Sequence, residues 1–225
     1  MIKAIIFDMD GLLIDTEKHH TACWIEAAKE QGFEMTMETA LKLRSLGAEF
    51  AAPMLQEELG AGLDYEKLRR VKRSLMDKRL YETPIKLKKG ALELLSWLSK
   101  TNCKKAVATA TRREKAEECL KSTGLWPYFD EVLSVTGVAH GKPMPDIYLE
   151  ACRKLGETPE NCLALEDSPN GAWSAIRAGC KTVMIPDLTP VPKDFKGKLF
   201  GEAESLVNVI DMVRIELGQI QTSHI

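Results

Sequence analysis

Five short apolar runs punctuate the chain: Lys3–Asp8 (KAIIFD), Lys105–Thr109 (KAVAT), Glu131–Val135 (EVLSV), Cys162–Glu166 (CLALE) and Lys181–Ile185 (KTVMI). They are rich in Val, Ile, Leu and Ala and do not alternate apolar with polar. That is the pattern of strands covered on both faces, as in a parallel sheet. Segments with helical spacing, Arg112–Ser122, Asp146–Leu155 and Pro169–Ala178, separate the last four. Strands alternating with helices predict βαβ units and an α/β fold built on a doubly wound parallel sheet. LVNVIDMVRI reads as a closing helix, and the tail from about residue 191 to 225 adds no motif.

Residues 16–83 break the alternation. They contain no clear strand and read as helices over Glu17–Gln31, Met37–Ser45, Glu49–Leu59 and Asp64–Tyr81, punctuated by Gly32, Gly47, Gly60 and Gly62. A crossover of nearly 70 residues is far longer than one helix requires. It predicts an all-helical cap domain, 16–83, inserted into an α/β core made of 1–15 and 84–225. Asp15 with Thr16, and Thr83 with Pro84, would be the hinges.

A length of 225 residues suits one sizeable core and a small second domain. With 44% hydrophobic and 28% charged residues the chain reads as a globular protein. A net charge of −2 supplies no global field for nucleic acid or an anionic membrane. No apolar run approaches the ~18–20 residues a bilayer requires, and the segment before Asp8 is too short for a signal peptide. The expectation is a cytoplasmic enzyme, monomeric by default, with neither nucleic acid nor membrane as partner. The six cysteines are dispersed without a CxxC pair and read as small buried hydrophobes. Residues 65–80 carry seven basic side chains against two acidic. Two readings stand: a solvated helix face above a buried stripe of Leu68, Val71, Leu75 and Leu80, or a cationic surface that attracts a phosphorylated ligand.

The chemistry lies at the strand ends, where open parallel sheets bind ligands. The first run ends at Asp8, with Asp10 two residues on; the second at Thr109; the fourth at Glu166 and Asp167; Lys142 follows the third. Clustered carboxylates repel and raise one another's pKa values unless a cation sits among them. Oxygen-only ligands favour Mg²⁺ over zinc, and Mg²⁺ commonly completes its shell with a substrate phosphate. Lys142 would neutralise a carboxylate and a phosphate oxygen, and the Thr109 hydroxyl would donate to the same phosphate.

DMDGLLIDTE, ATAT, GKPMPD and LALEDSPNG, in that order, resemble the four motifs of the haloacid dehalogenase superfamily, nearest its phosphatase and β-phosphoglucomutase-like branch, which carries a helical cap in this position. The resemblance covers about residues 1–190. It implies Asp8 as the nucleophile that forms an aspartyl-phosphate and Asp10 as general acid and base, with the Asp10 backbone carbonyl on Mg²⁺. It implies Asp167 as a direct metal ligand, Glu166 as a ligand directly or through water, and Thr109 and Lys142 holding the transferring phosphoryl group. Gly11 would permit the tight turn at the strand exit. Ala110, Thr111 and Arg112, next to the second motif, are candidate contacts to substrate, although Arg112 also suits the start of its helix. His20 matches a position that faces the cleft in this branch; its other reading is a cap-surface or cap-interior histidine. Asp15, Thr16 and Glu17 read as a helix N-cap cluster, Trp24 as cap core, His140 as a residue that caps the lysine loop, and Asp146 as a helix start that also positions that loop.

The expected activity is Mg²⁺-dependent hydrolysis of a small phosphorylated metabolite, a sugar phosphate among the candidates. The first alternative is a sugar-phosphate mutase. In the family's mutases a GxxR pattern early in the cap grips the distal phosphate. Here Gly47 is followed by Ala48, Glu49 and Phe50, and Arg44 lies one turn earlier. More remote are a non-enzymatic receiver-like module, whose acceptor aspartate would follow the third strand, and a plain binding module. Carbon–halogen hydrolysis is not expected, because the family's dehalogenases lack the second aspartate.

Overall fold

A computed structural model describes residues 1–217. Residues 218–225, the end of the stretch assigned to the core, lie outside the described residues. Six parallel strands form one sheet in the order β3-β2-β1-β4-β5-β6: β1 Ala4–Phe7, β2 Lys104–Thr109, β3 Glu131–Ser134, β4 Cys162–Glu166, β5 Lys181–Met184 and β6 Gly201–Glu202. The doubly wound α/β sheet expected from the five runs is present. The sixth strand is two residues at an edge, too short to leave a pattern in the sequence.

The absence of alternation in β1 has a direct cause. Ile5 and Phe7 pack on one face of the sheet with helices α5 (Ala91–Leu98), α6 (Arg113–Ser122) and α9 (Leu206–Glu216). Ala4 and Ile6 pack on the other with α7 (Asp146–Leu155) and α8 (Pro169–Ala178). Every position of the strand is therefore apolar and buried. β1 lies between β2 and β4, so the winding reverses beside it, and the carboxyl end of β1 opens onto the crevice of the fold.

Four helices lie between β1 and α5: α1 Glu17–Glu30, α2 Met37–Lys42, α3 Ala48–Leu59 and α4 Tyr65–Glu82. They bury a separate apolar cluster that includes Ala27, Leu43, Leu55, Leu63 and Leu68. Val71 and Leu75 pack against it, whereas Leu80 packs against the core of the sheet. The outgoing and returning chains pair side by side at the base of this helical unit: Asp15 N donates to Lys86 O (2.8 Å), Lys88 N to Leu13 O (2.9 Å), and Ile14 bridges Leu87.

Helix α2 stops at Lys42, short of the expected Ser45. The side-chain amide of Asn170, on α8, donates to Lys42 O (3.0 Å) and Arg44 O (2.9 Å), satisfying carbonyls the helix leaves open, and Ser45 takes a positive φ of 56°. All six cysteines are free and buried, as their scatter implied.

Candidate active site

The first acidic pair stands at the exit of β1. Asp8 N donates to Leu165 O (3.0 Å), which places Asp8 level with Glu166 at the end of the neighbouring strand. Gly11 turns the chain with φ of 85°, and a Cβ there would overlap Asp167 Oδ2. The turn thus needs glycine for its conformation and for the close approach of a carboxylate.

Asp8, Glu166 and Asp167 are buried, and their carboxylate oxygens come within 4.8 Å of one another. Lys142 is buried with them. Its Nζ donates to Asp8 Oδ1 (2.6 Å), Glu166 Oε1 (2.6 Å) and Ala108 O (2.9 Å). These acceptors engage all three ammonium donors. Lys142 therefore stands behind Asp8, outside the cavity lining. The ammonium fixes one oxygen of Asp8. Burial pulls the Lys142 pKa down, but Asp8 and Glu166 outweigh it and hold the ammonium above its ordinary range.

Burial raises Asp8 well above the usual carboxylate range despite Lys142, with Glu166 adding repulsion. Burial raises Asp167 likewise, against the attraction of Arg44. Asp8 Oδ2 and Asp167 Oδ1 are buried without a hydrogen-bond partner. A buried carboxylate oxygen left without a donor is costly. Two of them beside a third acidic side chain fit a divalent cation held by hard oxygen ligands.

Asp10 is not part of that trio. Its carboxylate accepts from Thr16 Oγ1 (2.6 Å) and Thr111 Oγ1 (2.7 Å), more distantly from Thr109 Oγ1 (3.4 Å), and faces His20 Nε2 (3.2 Å). Lys72 Nζ donates to His20 Nδ1 (2.6 Å), so Nε2 carries the hydrogen toward Asp10. Burial pushes Asp10 up, but the interaction with His20 and the hydroxyl bonds prevail and hold it below the ordinary range. The expected four-carboxylate cluster is thus three buried acids plus one acid surrounded by donors.

A cavity of about 340 Å³ opens above the site. Asp8, Asp10, His20, Thr109, Ala110, Thr111 and Arg112 line its floor and sides, while Arg69, Lys72 and Arg73 of α4 line the helical side. Within the basic run, Arg69, Lys72 and Arg73 border the cavity, whereas Arg70 and Lys78 are exposed. Trp24 packs with the helical core, as expected, and also borders the cavity.

One expectation needs correction, and Glu17, in the first turn of α1 as expected, gains a second setting. Thr16 occupies the N-cap position of α1 without capping it; its hydroxyl goes to Asp10. Glu17 is buried on the cavity wall, 3.7 Å from Arg44 Nε. Asp146 begins α7 and also accepts from His140 N (3.2 Å), joining both readings.

Three contacts escaped the sequence reading. Tyr148 is buried and donates its hydroxyl to Glu166 Oε1 (2.5 Å); its place just after the GKPMPD segment was the available signal. Arg44 is buried and donates to the backbone oxygen (3.2 Å) and Oδ2 of Asp167. Asp187 follows β5, near Gly11, and pairs with Lys88 (2.5 Å). Nothing local to Arg44 or Asp187 signals these contacts in the sequence.

Residues 2–179 match the family model of haloacid dehalogenase-like hydrolases. The Bacillus subtilis protein YhcW is 34% identical over 83% of this chain and 84% of its own. A phosphorylated carbohydrates phosphatase of Thermotoga maritima is 30% identical over 81% of this chain and 84% of its own. The structure of CbbY from Rhodobacter sphaeroides in complex with xylulose-1,5-bisphosphate superposes with a TM-score of 0.77 at 29% identity, covering 92% of this chain and 95% of that one. With a family model spanning most of its length and relatives matched over more than four fifths of it, the chain belongs to the haloacid dehalogenase-like hydrolases.

Proposed function

We propose that the chain is a Mg²⁺-dependent phosphatase that hydrolyses a small phosphorylated metabolite through an aspartyl-phosphate on Asp8, with the helices of residues 16–83 acting as a cap over the cavity. The observation that carries this reading is the state of Asp8. One oxygen is fixed by Lys142, and the other is unpartnered beside the cavity floor.

In the first half-reaction the Asp8 carboxylate attacks phosphorus, the phosphorus–oxygen ester bond breaks, and Asp10 protonates the leaving alcohol. The ring of donors around Asp10 favours its carboxylate. The acid form needed at this step is favoured by the negative phosphoryl group arriving beside it. In the second half-reaction the Asp10 carboxylate takes a proton from water, which attacks the aspartyl-phosphate and releases inorganic phosphate. Thr16, Thr111 and His20 orient Asp10 in both steps. Asp8 and Asp167, with Glu166 beside them, would hold the Mg²⁺, which supplies charge stabilisation for the equatorial phosphoryl oxygens.

Glu49 lines the cavity and accepts from Gly141 N (2.7 Å), in the stretch where a mutase would present an arginine. Arg44 is engaged with Asp167. Both observations support hydrolysis over phosphoryl return. The Thermotoga maritima relative named for phosphorylated carbohydrates, and the bisphosphate held by the Rhodobacter sphaeroides protein, support a sugar phosphate as the substrate class.

Turnover of p-nitrophenyl phosphate with and without Mg²⁺ tests the reading. Asp8→Asn should lower turnover by about 10³-fold or more; near-wild-type rates in that variant would refute the nucleophile. Mg²⁺ should raise the melting temperature of the wild type and not of Asp167→Ala. β-Glucose 1-phosphate with a bisphosphate primer should release free phosphate; conversion to glucose 6-phosphate would establish a mutase instead.

A further inference from the structure

One buried cation reaches the acidic trio from the inserted helices. Arg44 lies in the connection between α2 and α3, and its side chain is 1% exposed. The guanidinium donates to Asp167 Oδ2, to the Asp167 backbone oxygen (3.2 Å) and to Thr189 Oγ1 (2.9 Å). Asp167 and Thr189 stand in the loops that follow β4 and β5. The backbone around Arg44 is tied to the same side of the molecule. Asn170 donates to Lys42 O and Arg44 O, and Gly47 N donates to Lys142 O (2.7 Å). The Arg44 contact is therefore the charged centre of a seam between the helical unit and the core.

The two oxygens of Asp167 have different surroundings. Oδ2 is held by Arg44, whereas Oδ1 is buried without a partner and is the oxygen left for a cation. A guanidinium and a divalent cation on one carboxylate are like charges at close range, in a place where water screens them little. Arg44 also has other acceptors near it. Glu17 Oε1 lies 3.7 Å from its Nε, and that Nε makes no hydrogen bond. Asp187, two residues before Thr189, attracts the guanidinium as well, and Asp187 Oδ2 is buried without a donor. Lys142 has no such freedom, because Asp8, Glu166 and Ala108 O engage its three donors.

We propose that Arg44 is a resident counter-cation of the acidic trio that competes with Mg²⁺ for Asp167, so that metal binding and the docking of residues 42–49 on the core oppose each other. This rests on the metal reading given above and adds to it a residue that sets the affinity. With Arg44 on Asp167, the acids are partly neutralised and the seam is closed. When Asp167 turns its charge to the metal, Glu17 and Asp187 take up the guanidinium, and the seam loses its central contact. The coupling is reciprocal: the factor by which docking lowers metal affinity is the factor by which the metal lowers docking. Arg44 touches no reacting atom and acts as a positioning residue through Asp167.

The test is Mg²⁺ affinity by calorimetry, with no substrate present. Arg44→Gln removes the charge and keeps an amide that can donate to Asp167. It should bind Mg²⁺ tighter by about tenfold or more. Arg73→Gln removes a charge from the cavity lining and should leave the affinity close to that of the wild type. Unchanged or weaker binding by Arg44→Gln, or an equal gain from Arg73→Gln, would overturn the role of Arg44. Hydrogen exchange on the wild-type protein gives a second readout that no substitution disturbs. Saturating Mg²⁺ should speed amide exchange within residues 42–49 by about threefold or more, while β4 is not loosened. Slower or unchanged exchange in that segment would overturn the opposition between metal and seam. If Mg²⁺ binds neither the wild type nor Arg44→Gln, the metal reading itself fails and the role of Arg44 falls with it, an outcome distinct from equal affinities of the two proteins.

Discussion

Replacing Lys142 with methionine keeps most of the side-chain volume and deletes the cation on which the buried acids depend. Three donor contacts are lost, to Asp8 Oδ1 (2.6 Å), Glu166 Oε1 (2.6 Å) and Ala108 O (2.9 Å). Removing one partner of a buried ion pair costs about 3–5 kcal/mol, because the remaining charge is left uncompensated. Two carboxylates are left here, but Tyr148 still donates to Glu166, and either acid can take up a proton. The loss should therefore stay within that range, near about 4 kcal/mol. With a urea m-value of about 2–3 kcal/mol/M for a chain of this size, the midpoint should fall by about 1–2 M. The assay is urea unfolding followed by far-ultraviolet circular dichroism at pH 7 and pH 5. Burial already holds Asp8 above its ordinary range with the lysine present, and deleting the lysine raises it further. A folded-state value above the unfolded one stabilises the protonated fold at low pH and is lost as pH rises. The penalty should consequently be smaller at pH 5 than at pH 7. A loss under about 1 kcal/mol, or one equal at both pH values, would refute the claim that Lys142 compensates these two acids.

Three further outcomes follow from single contacts. Tyr148→Phe removes the hydroxyl that meets Glu166 Oε1, while Lys142 continues to satisfy that oxygen, so urea unfolding should show a loss of about 1.5 kcal/mol. Gly11→Ala must adopt a positive φ, at about 1–2 kcal/mol, and its Cβ would displace Asp167. Calorimetry should therefore show a melting temperature lower by several degrees and a weakened response to Mg²⁺. Burial holds the Lys72 ammonium below its ordinary range, a cost that is full at neutral pH and vanishes as pH rises through the folded value toward the unfolded one. Lys72→Met should thus melt above the wild type at pH 7, by a margin that shrinks toward pH 10.

The apolar runs, the helical spacing between them and the order of four short motifs sufficed to identify the sheet, the inserted helices and the residues at the strand ends. These features are local. A strand buried on both faces must be apolar at every position, and a turn such as Gly11 admits few residue types. Side-chain partnerships are not local, and there the tertiary structure decided. Arg44 meets Asp167 across 123 positions, and Lys142 meets Asp8 across 134. It decided that Asp10 stands apart from the buried trio, that the Thr16 hydroxyl leaves its helix, and that Arg69 and Arg73 turn to the cavity while Arg70 turns to water. The physical reason is that a residue's identity fixes what it can donate or accept. Which groups come within 3 Å of it, and whether water can intervene, depends on how separate helices and strands pack.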